Sequence, residues 1–200
     1  MQVKIKFDKK AIEEKVLSSK KFQAAVTESV SRKIVKARTH FLTAFSEHKV
    51  TQELTAGKTA SNTSGSLSGY GNLFTFMGFE DGNENPAISL KKFLDQSISS
   101  FANVVKRSGT RFTLRLNVPT KEEIEAITPL PYESGRSWVR GIEYGISGIG
   151  FYFYSKKEEL ENSRSKLGIQ SKYQIRGGGF SNQSYLSPLL KQLYKEIGIK

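Results

Sequence analysis

The sequence predicts an α+β fold: a mixed, mostly antiparallel sheet packed by a long N-terminal helix and a C-terminal helix, with extended loops or arms. Apolar residues recur every three or four positions over residues 26–45 and 186–197, which is the helical period. Residues 112–118 alternate apolar and polar side chains, which is the period of a strand. The chain has 200 residues, the size of one domain, so a single domain over residues 1–200 is expected.

The beginning of the chain predicts a short strand followed by the long helix. Val3, Ile5 and Phe7 alternate with polar residues, as in a strand. Asp8 can cap the helix that follows. Ser19 is a candidate internal cap, so the helix is expected to divide there.

The later elements are predicted from the same two periods and from the turn residues between them. In order, the expected elements are a strand over 72–79, a helix from Pro86 to Phe101, the strand over 112–118, a helical turn over 121–127, a hairpin of strands 138–144 and 149–154, and a last helix opened by Ser187 and Pro188.

Two segments are too polar to build a core, and both are expected to be flexible. In residues 58–71, ten of the fourteen residues are Ser, Thr, Gly or Asn. Residues 155–180 are charged and glycine-rich. Because neither segment can order itself by burying its own side chains, both are expected to order chiefly against neighbouring subunits. Deletion of residues 60–69 is accordingly expected to leave the fold intact.

The positive charge lies at the two ends of the chain. Lys and Arg total 31 against 19 acids, a net charge of +12. Residues 1–50 hold a surplus of seven and residues 150–200 a surplus of five, while the middle is neutral. A nucleic-acid surface is one interpretation, and solvated helix faces or docking on an acidic protein is the favoured one. The candidate contacts to phosphate or to an acidic partner are Arg32, Lys33, Lys36 and Arg38.

The sequence offers no catalytic constellation, so we expect neither enzyme activity nor a cofactor or metal. It has no cysteine, and its two histidines, His40 and His48, are eight residues apart, too far for a shared metal on one helix. Lys58 follows a glycine as in a phosphate-binding loop, but the earlier glycine and the preceding strand are missing. No signal peptide or membrane helix is recognised, which favours a soluble intracellular product.

Three short stretches, taken in order, resemble a known family. The first is Thr63-Ser-Gly-Ser-Leu67 after the long basic helix. The second is Trp138 followed by Ile142-Glu-Tyr-Gly145, and the third is Ser184-Tyr-Leu-Ser-Pro-Leu-Leu190. Together they resemble the head–tail joining proteins of tailed bacteriophages, a group that includes neck, tail-completion and tail-terminator proteins.

The resemblance implies a structural virion protein of the neck or tail, assembled in the cytoplasm of the bacterial host. It implies a ring of identical copies, commonly six, between the head connector and the tail-tube or sheath proteins, with DNA passing through the lumen and no membrane partner. The candidate subunit-interface residues are Ser64, Gly65, Leu67, Tyr70, Arg176 and Phe180. The alternative function is a basic nucleic-acid-binding protein whose long helix is the contact surface.

Overall fold

The computed structural model describes residues 9–67, 71–80, 82–98, 103–108, 111–131, 133–145, 152–154, 168–170 and 180–198. Most of these residues are helical, and the strands form small antiparallel pairs, so the fold is α+β at a coarse level. The strand expected over residues 3–7 lies outside the described residues.

Eight helices occur in the described residues, and none of them is long and apolar enough to cross a membrane. They are α1 (Lys9–Ser18), α2 (Lys20–Glu47), α3 (Lys49–Ala56), α4 (Leu73–Phe76), α5 (Pro86–Ser97), α6 (Lys121–Ala126), α7 (Trp138–Tyr144) and α8 (Leu186–Ile197), with a 3-10 turn at Gly57–Thr59.

The described strands form three separate two-stranded antiparallel pairs. No pairing between described strands joins these pairs into the single mixed sheet that the sequence predicts. The strand predicted over residues 112–118 is shorter than expected, because β2 ends at Arg115. The pairs are β1 (Asn103–Ser108) with β2 (Arg111–Arg115), β3 (Pro129–Leu130) with β4 (Glu133–Ser137), and β5 (Tyr152–Tyr154) with β6 (Gly168–Gln170).

Several helices begin at local capping residues, and the starts at Ser19 and Pro86 agree with the prediction. Ser19 divides α1 from α2, and its hydroxyl accepts a hydrogen bond from the backbone N–H of Phe22. Pro86 is the first residue of α5, behind an Asn85 cap. Thr120 and Glu123 form a capping box at the start of α6. The predicted long helix, the helical turn over 121–127 and the last helix are therefore confirmed.

The core lies where α2, α5 and α8 meet the short helices. The first buried residue of α2 is Ile34, and no described side chain from 14 to 33 is buried. The described side chains of α1, residues 14–18, and the first half of α2 therefore stay outside the core. Within the core, α2 places Ala37, Phe41 and Phe45, α5 places Ala87, Leu90 and Leu94, and α8 places Leu186, Leu190 and Leu193.

The strand predicted over residues 72–79 is wrong, because this segment contains helix α4. The side chain of Asn72 accepts from the backbone N–H of Thr75 and starts the turn. Leu73 and Met77 are both buried, and a spacing of four places them on one helical face. The aromatic content of the segment reflects this burial rather than a strand.

The strand predicted over residues 138–144 is also wrong, because these residues form helix α7. The hydroxyl of Ser137 accepts from the N–H of Arg140, and the buried residues Trp138 and Ile142 are four positions apart. The expected hairpin therefore does not form. Strand β5 pairs instead with β6, which lies within residues 155–180, the second segment that is expected to be flexible.

Candidate functional site

Of the three stretches that carry the family resemblance, the second and third bond to each other through Glu143 and Ser187, and the first bonds to the residues just before the third. The backbone N–H of Gln183 donates to the carbonyl of Ile142 at 2.9 Å, and the N–H of Ser181 donates to the carbonyl of Ser66 at 2.8 Å. We call this region the junction and define it as residues 63–67, 138–145 and 180–190. Contacts of Glu143, Tyr185, His48 and Glu53 hold this region together.

Glu143 caps the N-terminus of α8. Its Oε1 accepts from the N–H of Ser187 at 2.6 Å and from the N–H of Tyr185 at 3.3 Å, while its Oε2 accepts from the Ser187 hydroxyl at 2.5 Å. The N-cap residue of α8, Tyr185, makes no side-chain cap of its own. A carboxylate supplied by α7 therefore satisfies the backbone donors of another helix and complements its dipole.

Tyr185 lies at the centre of the junction and is fully buried. Its ring stacks on Phe45 at 5.9 Å and lies 6.4 Å from the ring of Trp138. Its hydroxyl is hydrogen-bonded to the hydroxyl of Thr51 at 2.8 Å. Burial raises the pKa of the Tyr185 phenol well above its ordinary value, so the group stays neutral and serves as a hydrogen-bonded anchor.

His48 links the junction to the end of α2. Its Nδ1 accepts from the N–H of Val50 and so caps α3, while its Nε2 lies 3.1 Å from the carbonyl of Ser184. These two contacts fit one neutral tautomer, with the proton on Nε2. Burial lowers the pKa of His48, while the Ser184 carbonyl and the Glu143 charge act weakly in the opposite direction.

Glu53 holds the loop of residues 61–67 against the body of the subunit. Its side chain is only 1% exposed. One carboxylate oxygen accepts from the N–H of Ser64 and the other from the N–H of Leu73, each at 2.7 Å. Asn72 reinforces the same loop by donating to the carbonyls of Lys58 and Ala60. A buried carboxylate needs such donors, because an unpaired one would be very costly.

Gly145 closes the second stretch in a conformation that requires glycine. Its φ is +88°, and a Cβ at this position would lie 3.2 Å from Oδ1 of Asn182. The glycine therefore permits both the end of α7 and the close approach of the chain that leads into α8.

The junction presents an exposed aromatic residue to solvent. Tyr144 is 56% exposed, and the Nζ of Lys121 lies 4.3 Å from its ring centroid and 3.1 Å from its hydroxyl. Hydrogen bonds from Ser187 and then Lys121 lower the pKa of the Tyr144 phenol. An exposed tyrosine beside a cation is suited to contact with another macromolecule.

The predicted interface residues are divided by the structure. Gly65 is exposed and Ser64 is half-buried, whereas Leu67 is only 8% exposed and belongs to the interior of its own subunit. Phe180 is half-buried and stacks on Phe76, with 5.5 Å between the ring centroids. Tyr70 and Arg176 lie outside the described residues.

The composition of residues 58–71 predicts that the segment cannot build a core, whereas Ser66 and Leu67 are buried. The flexibility of this segment in solution stays a prediction. Of residues 155–180, the structure describes only 168–170 and Phe180, so the expectation for that segment also stays a prediction.

The four predicted basic contacts lie on α2 in different settings. Arg38 donates to the carbonyl and to the carboxylate of Asp95 on α5, at 2.8 and 2.7 Å. Arg32 pairs with Glu28 at 3.7 Å on the surface. Lys33 and Lys36 are exposed. An internal contact therefore occupies Arg38, while the other three stay on the outer surface.

The sequence patterns do not predict the structural roles of Glu53, Glu143 and His48. A signal existed for Glu53, because it lies three positions after Val50 and one before Leu54, and so on the apolar face of α3. No comparable local signal existed for Glu143 or for the contact of His48 with Ser184, because these partners are more than forty residues away.

In the described part of the chain, no group of three or more His, Asp or Glu side chains is placed to hold a metal ion. Both oxygens of Glu143 are occupied by donors of the α8 N-terminus, so its carboxylate acts as a cap. No protein-family model, no curated protein and no solved structure matches this chain.

Proposed function

We propose that this chain is a structural, non-enzymatic subunit of a tailed-bacteriophage virion. In this proposal it forms a ring of identical copies, commonly six, at the neck or tail terminus, and joins the head connector to the tail-tube or sheath proteins. The proposal includes assembly in the bacterial cytoplasm. It also includes the finer fold implied by the resemblance, a mixed, mostly antiparallel sheet packed by α2 and α8.

The meeting of the three resembling stretches at the junction is the observation that supports the proposal most. Each stretch alone is short. Glu143 of the second stretch nevertheless bonds to Ser187 of the third, and Ser66 of the first bonds to Ser181, three residues before the third begins. A shared set of contacts is a physical reason for these stretches to occur together in one chain.

The outer side of the junction supplies a surface suited to neighbouring copies. Gly65 and Tyr144 are exposed there, and Lys121 accompanies the tyrosine ring. Exposed tyrosines are enriched among the residues that dominate binding energy at protein interfaces. The proposal therefore places Tyr144 in the contact between adjacent subunits.

Sedimentation velocity on the full chain tests this placement. The wild type is expected to form a discrete ring-sized species, and Tyr144→Ala is expected to shift the population toward monomer. Ile88→Ala is the matched control, because Ile88 is also an exposed large apolar residue but lies on α5. Equal assembly by Tyr144→Ala and the wild type, with unchanged melting temperatures, would remove Tyr144 from the interface.

A basic nucleic-acid-binding protein is the second candidate function, and the exposed lysines of α2 favour it. The two candidates differ in assembly. A nucleic-acid-binding protein of this kind needs no closed ring, whereas a joining subunit does. Ring formation in the absence of DNA therefore separates them.

A further inference from the structure

The two positively charged ends of the sequence meet on one face of the molecule. Helix α2 comes from the first fifty residues and α8 from the last fifty-one, and they pack side by side in opposite directions. Three contacts between α2 and the α8 segment show this antiparallel alignment. His48 contacts the Ser184 carbonyl, His40 lies 3.4 Å from Glu196, and the Nζ of Lys33 lies 3.7 Å from where a Cβ on Gly198 would be.

This alignment concentrates positive charge. Together α2 and α8 carry eight Lys and Arg residues and three Glu residues, a surplus of five. Residues four positions apart on a helix are separated by about 6 Å along its axis, and exposed cations on both helices have that spacing. We call these five exposed cations the basic face: Arg32, Lys33 and Lys36 on α2, and Lys191 and Lys195 on α8.

Acidic residues offset only part of this charge. Glu28 pairs with Arg32, and Glu196 faces His40, which adds charge only when it is protonated. The third acid, Glu47, is the last residue of α2. The acids on α2 and α8 therefore leave most of the positive charge of the basic face uncompensated.

We propose that the basic face binds the phosphate backbone of duplex DNA; the inference rests on the proposed function, because DNA is the polyanion that passes through a head–tail joint. The chemistry of the face fits phosphate better than a protein surface. Lysine is depleted from the centres of protein interfaces, and Val35 is the single large apolar residue exposed on α2 and α8. Thr43, also exposed on α2, supplies a hydroxyl group of the kind that contacts phosphate.

The test is the salt dependence of duplex binding, measured by fluorescence anisotropy on the full chain. The test variant is Lys36→Gln with Lys195→Gln, which removes one cation from each helix. The control is Lys49→Gln with Lys91→Gln, which removes the same charge from exposed lysines on α3 and α5. Each lost phosphate contact lowers the slope of log K against log salt by about 1, so the test variant should lose about 2 and the control none.

Binding should be equal for duplexes of different sequence, because backbone contacts carry no sequence information. The inference is overturned if the wild type does not bind duplex DNA at about 50 mM salt, or if both double variants lose affinity equally. It is also overturned if polyglutamate displaces the duplex at equal charge concentration, because the face would then recognise acidic polypeptides.

Sedimentation of the same samples keeps this inference separate from the proposed function. Rings that do not bind DNA would overturn the inference and leave the joining function standing. A chain that forms no ring, but loses DNA binding only in the test variant, would support the basic face and contradict the joining function.

Discussion

Two carboxylates organise the contacts between distant segments by accepting backbone N–H groups. Glu53 joins α3 to the loop of residues 61–67 and to the start of α4, and Glu143 joins α7 to the start of α8. Hydrogen bonds to a charged acceptor are stronger than neutral ones, and their loss leaves buried donors unpaired. Single substitutions at these positions should therefore have effects well above those at surface acids.

Glu143→Ala should lower the free energy of unfolding by about 2 kcal/mol, because α8 loses its only described N-terminal cap. Urea denaturation measures this loss. Glu28→Ala is the control, since its exposed pair with Arg32 is worth about 0.5 kcal/mol or less. Equal stability of the two variants would show that the Glu143 contacts contribute nothing.

His48 should make stability fall in mildly acidic solution. Its pKa is lowered in the folded state from the ordinary value of 6.5, so the unfolded chain binds the proton more readily. The contribution of neutral His48 to the free energy of unfolding is complete above pH 6.5 and is lost as the pH falls through the folded pKa. Protonation also prevents Nδ1 from accepting the Val50 N–H.

His48→Asn keeps a capping acceptor but removes the titration, so its stability should change less between pH 7.5 and 5.5 than that of the wild type. Parallel pH profiles for the wild type and His48→Asn would exclude His48 as the source.

At the level of elements, the apolar residues of α8 contribute unequally to the stability of the fold. Leu193 is buried in the core and Leu189 is half-buried against it. Leu193→Ala should therefore cost about 3 kcal/mol of stability and Leu189→Ala about 1 kcal/mol, because the cavity left behind is larger at the enclosed site. Denaturant titration compares the two, and a larger loss at Leu189 would contradict the packing described for α8.

The loop of residues 61–67 should depend on Glu53 for its order. Glu53→Gln replaces one acceptor oxygen with a donor, so either Ser64 or Leu73 loses its partner. Amide exchange should then become faster at residues 61–67, with protection of α8 unchanged. Unaltered exchange at these residues would show that the carboxylate does not hold the loop.

These contacts also reverse the expectation for deletion of residues 60–69. The deletion removes the Ser64 N–H that Glu53 accepts and the Ser66 carbonyl that Ser181 requires. It should destabilise the subunit rather than leave the fold unchanged.

The starts of α2 and α5 were predictable from the local residues Ser19 and Pro86. Helices α4 and α7 also begin at local caps, Asn72 and Ser137, but both helices are short and rich in aromatic and apolar residues, and tertiary burial decides their conformation. The partners of Glu143, and the contact of His48 with Ser184, depend on packing between distant segments, which local patterns do not encode.

At the scale of the whole molecule, the basic face and the junction are neighbouring surfaces, because Lys191 directly follows the last residue of the junction. Packing of α2 against α8 collects cations from both ends of the sequence on one face. The junction, with Gly65 and Tyr144 exposed, lies where α7 leads into α8. The two surfaces suit the two contacts that the proposed role requires, one with passing DNA and one with adjacent copies.

Electron microscopy of the purified full chain tests the proposed joining function, because it distinguishes a closed ring from any other state. The proposed joining function predicts a homogeneous ring of identical copies, with the Tyr144 surface between neighbours and the basic face toward the lumen. A population of monomers or open, irregular assemblies at the highest soluble concentration would contradict the account.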